Sequence, residues 1–346
     1  MKIKINKKNY FNLKKAPLII AEISGNHCGN KKLFLKHIRE AAKNGADLIK
    51  IQTYEPEVIT LNIKSKFFKI KKGLWKNKYL WELYKKAHTP FKWHQDAFKL
   101  AKKLGIILFS SPFSVRAVNF LEKFNTPLYK LASVEITDVN LIRKIAKTKK
   151  PIIISTGCAS LSDIENCLKI IKKVHNKIIL LHCVSKYPTL ESEANIGKIK
   201  LLKKKFKNTL IGLSDHTNSI HSSLAATAIG IVLIEKHFII NKKIKSEDQK
   251  FSIDKDQLRE LKDSTTRIHK ILSSKVSNEI SSKVFRRSIF ASKNIKKNEK
   301  ITKNNIVALR PKVGICASQY FKILNKKSKK NIKRFSPIKK EDISGN

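Results

Sequence analysis

Gly212 to His216 reads GLSDH, and Ile234 to His237 reads IEKH. Each is a short apolar run that ends in a histidine, and one helix-length interval separates the two. That spacing puts two imidazoles at the ends of neighbouring strands, the geometry of a two-histidine metal site at the C-terminal face of a barrel. A lone histidine at either place reads more simply as a satisfied core or loop residue. Two at matching strand ends, one of them beside Asp215, point to a metal instead.

Outward from these two strands the same pattern repeats. Continuous apolar runs occur at Leu18–Ala21, Leu48–Ile51, Ile106–Phe109, Leu128–Leu131, Ile152–Ile154, Ile178–Leu181, Leu210–Leu213 and Val232–Ile234. Between most of them lie segments with helical spacing: Leu33–Asn44, Trp93–Leu104, Val115–Phe124, Leu141–Lys147, Ile164–Val174 and Ser222–Ile229. Runs apolar on both faces are strands covered on both sides, hence a parallel sheet. Eight in alternation with helices predict an α/β fold, a closed (β/α)8 TIM barrel. Residues 1–16, with Ile3 and Ile5 alternating among lysines, read as a short strand plugging the bottom of the barrel. The interval from Thr53 to Trp93 is too long for an ordinary connection and predicts an extended loop with a short helix, a lid over the C-terminal face. After the last helix, Lys255–Leu272, comes the serine-rich SSKVSNEISSK. The expected division is a barrel over residues 1–272, a linker over 273–284 and a small domain of short strands and turns over 285–346.

A chain of 346 residues suffices for one large core and a small second domain, and 41% hydrophobic with 8% aromatic content fits a soluble globular enzyme. No apolar run approaches the ~20 residues that span a bilayer, and PLIIAEI near the start is too short for a signal peptide. A cytoplasmic protein without a membrane partner is expected. Five cysteines (Cys28, Cys158, Cys167, Cys183 and Cys316) form no CxxC pair and read as reduced thiols. The formal net charge of +48 would ordinarily suggest a nucleic-acid or polyanion-binding protein. Here the lysines are spread along the whole chain beside abundant Ile and Asn, as codon bias toward A and T would produce, and no basic stretch is interleaved with aromatics as in a recognition module. No nucleic-acid partner is expected, although the field would favour an anionic substrate.

Nearly every strand finishes in polar groups: Glu22 with Asn26 and His27; Lys50 and Gln52; Ser110 and Ser111; Lys130, Ser133 and Glu135; Ser155 and Thr156; His182 with Ser185 and Tyr187; Ser214, Asp215 and His216; Glu235, Lys236 and His237. A purely structural barrel would not need them. Lys50 alternates with apolar neighbours in IKIQ and so points into the barrel, as does Lys130 in LYKLAS, where a lysine without an anionic partner is costly. With the hydroxyls of Ser133, Ser155, Ser185 and Ser214 they read as a phosphate or carboxylate cradle. Two alternatives stand beside it: a structural salt bridge to Glu22 or Glu235, or a Schiff-base aldolase with Lys130 as the amine nucleophile. Asn26 and His27 also suit a turn cap.

The stretches IIAEISGNHCGN, ADLIKIQTYEPEVIT, FSSPFS, YKLASVEITDVNLI, KPIIISTG, LLHCVSKYPT, IGLSDHT and IEKHF resemble, in order and spacing, the motifs of the sialic acid synthase family. The resemblance covers nearly the whole chain and implies condensation of phosphoenolpyruvate with an amino sugar to a nonulosonic acid. RRSIFASKNIKKNEKITKNNIVALRPKVG is similar to the antifreeze-like (SAF) domain that follows the barrel in that family. LWELYKKAHTPFKWHQDAF and Ser133 to Glu135 look most like the pseudaminic acid-forming branch, which implies 2,4-diacetamido-2,4,6-trideoxy-L-altropyranose as the sugar, with the N-acetylneuraminate and legionaminate branches as alternatives. By position, the resemblance implies His216 and His237 as ligands of a divalent metal, manganese before magnesium or cobalt, and Glu22 and Glu135 as catalytic carboxylates. It implies substrate contacts for Lys50, Gln52, Ser111, Lys130, Ser133, Ser155, Ser185, Tyr187, Ser214 and Asp248. Arg310 matches an arginine that the SAF domain of one subunit inserts into the other's active site, implying a domain-swapped homodimer. Two segments depart from the family pattern: Ser246-Glu247-Asp248 stands where glycine-proline-aspartate is usual, and Arg310-Pro311-Lys312 where arginine-proline-glycine is usual.

Overall fold

A computed structural model describes residues 2–6, 9–274 and 281–345, and the chain divides into two compact units, 1–274 and 275–346. The first opens with an antiparallel hairpin of β1 (Lys2–Lys4) and β2 (Tyr10–Asn12). Where the sequence suggested one strand there are two, because three residues are too few for β2 to display an alternation. Ile3, Ile5 and Phe11 of the hairpin pack with Ile20, Leu48, Phe109 and Ile179, which closes the lower end of the barrel.

Eight parallel strands follow: β3 (Leu18–Glu22), β4 (Leu48–Thr53), β5 (Ile107–Pro112), β6 (Tyr129–Leu131), β7 (Ile152–Ser155), β8 (Ile178–Cys183), β9 (Leu210–Asp215) and β10 (Leu233–His237). They close in sequence order, β10 pairing with both β9 and β3. Side chains alternate along each strand. In β3, Ile19 and Ala21 join the outer core under the helices, while Ile20 joins the inner one. The expected TIM barrel is therefore observed.

The outer layer comprises α1 (Lys31–Lys43), α3 (Phe91–Leu104), α4 (Val115–Glu122), α5 (Val139–Lys147), α6 (Leu161–Lys172), α7 (Lys198–Lys205), α8 (His221–Ala228) and α9 (Lys255–Ser273), whereas α2 (Leu80–Ala87) belongs to the long segment between β4 and α3. Several begin one to three residues before their apolar stripe, where Asn30, Asp138 and Ser160 accept from backbone N–H groups of the first turn, each cap contributing about 1 kcal/mol. The sequence pattern did not reveal α7. It buries only Ile199 and Leu202 among five lysines.

The second unit pairs β11 (Ser288–Ala291) antiparallel with β12 (Ile306–Leu309) and adds the short α10 (Tyr320–Ile323). Its core is almost entirely isoleucine, including Ile289, Ile301, Ile306, Ile315, Ile332 and Ile338. Of the expected linker over 273–284, residues 275–280 lie outside the described residues. The five cysteines are unpaired, and among the described residues no helix is long and apolar enough to cross a membrane.

Candidate active site

Alternation along the barrel strands decides which polar groups reach the C-terminal mouth. Counting inward positions from Leu48 gives Lys50 and Gln52 on β4, and the same step gives Ser111 on β5, Lys130 on β6, Ser155 on β7, Ser214 on β9 and Glu235 and His237 on β10. All eight line one cavity of about 360 Å³, together with Ser24, Ser133, Cys183, Tyr187, His216, Asp248 and Phe251. Its upper wall is apolar, formed by Ile70, Trp75, Leu80, Leu83 and Tyr84 of the segment between β4 and α3.

The floor is a buried charge cluster. Lys50 Nζ lies 2.6 Å from Glu22 Oε2 and 3.1 Å from Glu235 Oε1, and Lys130 Nζ lies 3.7 Å from the same Glu235 oxygen. Ser214 Oγ donates to Glu235 Oε1 at 3.1 Å, while Glu22 Oε1 accepts from Ser24 N at 2.7 Å. Burial raises the Glu235 carboxyl, but Lys130 and Lys50 outweigh it and hold it down to about 2. For Glu22 burial outweighs Lys50 and the Ser24 N–H, and the carboxyl is pushed up to about 7. Burial lowers Lys130 to about 8 against the pull of Glu235. The lysines are thus both paired and cavity-facing, so the salt-bridge and cradle readings describe two faces of one arrangement. A partnerless hydroxyl adds to the cradle: Ser155 Oγ is buried with no hydrogen-bond partner among the described residues. Beside it, Ser133 and Ser185 share a hydrogen bond of 3.0 Å. Gly157 lets that loop close, since a Cβ there would lie 2.2 Å from Ser185 Oγ.

Across the cavity stand the two histidines, ring centroids 5.4 Å apart. Burial depresses both, His216 to about 4 and His237 well below its ordinary value, so both are neutral at pH 7. His216 Nδ1 lies 2.8 Å from the Val184 carbonyl, which fixes the proton there and leaves the Nε2 lone pair free. His237 Nδ1 is buried without a hydrogen-bond partner and 3.9 Å from Asp248 Oδ2. Neutral imidazoles with uncommitted lone pairs fit a divalent metal. Among the described residues no group of three or more His, Cys, Asp or Glu could hold one, so the protein would offer two nitrogens and leave the remaining positions to water and substrate.

A sequence model of the NeuB family matches residues 37–277, and one of the SAF domain matches residues 286–344. This chain belongs to the NeuB family. It is 42% identical over 341 residues to a pseudaminic acid synthase of Campylobacter jejuni, covering 96% of this chain and 98% of that protein. To the N,N'-diacetyllegionaminic acid synthase of the same organism it is 36% identical over 328 residues, covering 92% and 98%. Among solved structures it is similar to the N-acetylneuraminic acid synthetase of Leptospira borgpetersenii, with a TM-score of 0.73 and 32% identity over 82% of this chain and 94% of that one.

Within this NeuB-family barrel, most residues singled out from the sequence converge on the cavity, and four sit elsewhere. Glu22 lies behind Lys50, outside the lining, and Ser185 stands one hydrogen bond back from it. Glu135 follows the lining residues Ser133 and Val134 in the 3-10 turn after β6, half-buried, and adds to burial in raising the Tyr84 phenol. Arg310 is exposed just past β12 of the second unit. Other polar strand-end groups point outward. Ser110 bonds Thr53 and the Ile51 carbonyl, His182 Nε2 meets the Ala194 carbonyl, and Lys236 Nζ pairs with Asp215 at 3.0 Å. Asn26 Nδ2 donates to the Phe238 carbonyl and Ser252 Oγ, tying the loop after β3 to that after β10. Glu235, although noticed as a strand-end charge, was not assigned to the site. It stands two residues before His237 on the same inward face, which is the signal that places it there.

Proposed function

We propose that this chain condenses phosphoenolpyruvate with 2,4-diacetamido-2,4,6-trideoxy-L-altropyranose, giving pseudaminic acid and inorganic phosphate. The observation that carries this reading is a single cavity with two buried, hydroxyl-flanked lysines at its floor and two neutral histidines on its wall. That pairing suits a small polyanion beside a sugar carbonyl. The higher identity to the pseudaminic acid synthase than to the legionaminic acid synthase supports the choice of sugar.

His216 and His237 would hold a divalent metal, manganese first, which when bound supplies Lewis acidity and orientation at the open-chain sugar's aldehyde. Lys50 and Lys130 take the phosphate and carboxylate of phosphoenolpyruvate, with Ser155, Ser133, Ser185, Ser214, Ser111 and Gln52 supplying hydrogen bonds. Carbon 3 of phosphoenolpyruvate bonds to the aldehyde carbon, whose oxygen ends as a hydroxyl. Positive charge then develops at the pyruvyl C2. Three carboxylates divide the remaining work by environment. Glu235, strongly acidic, stays ionised and stabilises that charge. Glu135, raised by burial, accepts a proton from the water that adds at C2. Glu22 fixes Lys50 from behind. The tetrahedral centre expels phosphate with cleavage of the C–O bond and leaves the keto acid. Asp248 and Tyr187 border the sugar. The division into barrel (1–272), linker (273–284) and SAF domain (285–346) suits a domain-swapped homodimer in which Arg310 of one subunit serves the other, in the cytoplasm where phosphoenolpyruvate is made.

The deciding assay supplies phosphoenolpyruvate with each of the L-altro, legionaminate-precursor and N-acetylmannosamine sugars and measures phosphate release. Release with the first alone is expected, abolished by EDTA and restored by manganese. No release with any amino sugar rejects the reading, and full turnover in metal-free buffer rejects the two-histidine site. One observation favours a second reading: the Lys130 amine at about 8 is acidic enough to act as a Schiff-base nucleophile. Borohydride with pyruvate would then trap an adduct, and none is expected.

A further inference from the structure

The segment from Tyr54 to Thr89 is fastened from outside the strand that carries it. Glu247, only 7% exposed at its side chain, receives Lys78 Nζ at 2.7 Å and Lys86 Nζ at 2.5 Å. Its backbone carbonyl accepts from Trp75 Nε1 at 3.2 Å. Two ammonium groups, one just before α2 and one in its last turn, therefore meet one carboxylate on the loop after β10. They hold that carboxyl below its ordinary value despite burial, so it is ionised throughout the neutral range. The next residue, Asp248, is anchored to the floor loop by Gly25 N at 2.9 Å. The lid is seated on that loop as well: a Cβ at Gly25 would come within 3.0 Å of Ala87 Cβ at the end of α2.

The inner face of the clasped lid is apolar, and it stands opposite the lysine floor. A sugar that filled this half of the cavity would press its own carbons on Trp75, Leu80, Leu83 and Tyr84. Trp75 Nε1 is committed to the Glu247 carbonyl, so of these four side chains Tyr84 alone could partner a hydroxyl, whereas a methyl group would bury against all of them at a gain.

We propose that Glu247 is a positioning residue that clasps the lid, and that the wall it holds selects an amino sugar carrying a methyl group at its deoxy carbon over one carrying a hydroxyl there. This rests on the reading of the site as an amino-sugar condensing enzyme. The charge on Glu247 acts through Lys78, Lys86 and Trp75, not on the reacting atoms.

The test compares wild type with Glu247→Gln and, separately, with a Lys78→Met/Lys86→Met pair, whose exposed side chains (43% and 66%) make a folding defect avoidable. Both variants should raise KM for the 6-deoxy sugar about 10-fold, leave KM for phosphoenolpyruvate within about 2-fold, and cut the preference for the 6-deoxy sugar over its 6-hydroxy analogue from about 100-fold toward 10-fold. Glu247→Asp should recover part of the preference. Unchanged sugar KM and preference in the lysine pair overturn the proposal. Equal losses for both substrates assign the contact to general stability and overturn it too. Failure of the parent reading looks different: wild type itself releases no phosphate with any amino sugar.

Discussion

Glu235→Gln is the sharpest probe of the cavity floor. The amide keeps the volume of the side chain and an acceptor for Ser214 but removes the charge that faces Lys50 at 3.1 Å and Lys130 at 3.7 Å. A carboxyl held at about 2 instead of 4.5 corresponds to ~3 kcal/mol of folded-state stabilisation, the size expected for breaking one partner out of a buried ion pair. Because the folded-state value is the lower one, this stability is fully present above about 4.5 and is lost as pH falls through about 2. With about 2.1 cal/mol/K of unfolding entropy per residue over a 274-residue unit, ~3 kcal/mol lowers Tm by ~5 °C at pH 7. Calorimetry in phosphate-free buffer reads it directly. Phosphoenolpyruvate supplies a second arm. The variant's lysines lack one counter-charge, so the anion should raise its Tm by more than it raises that of wild type. A variant melting within about 1 °C of wild type, with the same response to phosphoenolpyruvate, would refute the assignment of Glu235 as counter-ion to both lysines.

Lys130, lowered to about 8 by burial, loses its charge as pH rises, so kcat/KM for phosphoenolpyruvate should fall above about pH 8 while the value for the sugar changes less. Gly157→Ala would drive a methyl to 2.2 Å from Ser185 Oγ and 3.0 Å from Cys183 Sγ; steady-state kinetics should show phosphoenolpyruvate binding weakened about 10-fold or more. Glu135→Gln should reduce turnover by ~10²-fold with little change in phosphoenolpyruvate affinity, and near-native turnover would remove that residue from proton transfer.

The barrel was legible because its strands are apolar on both faces and most of its helices carry an apolar stripe at helical spacing, signals confined to a few adjacent residues. The hairpin strand β2 and helix α7 escaped for the same reason: three residues in one and five lysines in the other leave no periodicity. At the site, residue type alone could not separate Ser111 from Ser110, or His237 from His182. Strand phase separates them, since positions in step with Lys50, Lys130 and His237 reach the cavity and those out of step bond to the surrounding shell. What no local signal carried was long-range pairing. Glu247 meets Lys78 and Lys86 across more than 160 residues of chain, and only the closed fold brings them together.

The hairpin, packed against Ile20, Leu48, Phe109 and Ile179, shuts the chamber from below. With the ammonium groups at the bottom, product-inhibition kinetics should show phosphoenolpyruvate binding before the sugar and phosphate leaving after the larger product. A blind-ended vessel of this kind imposes a queue, with the smaller substrate first in and its remnant last out.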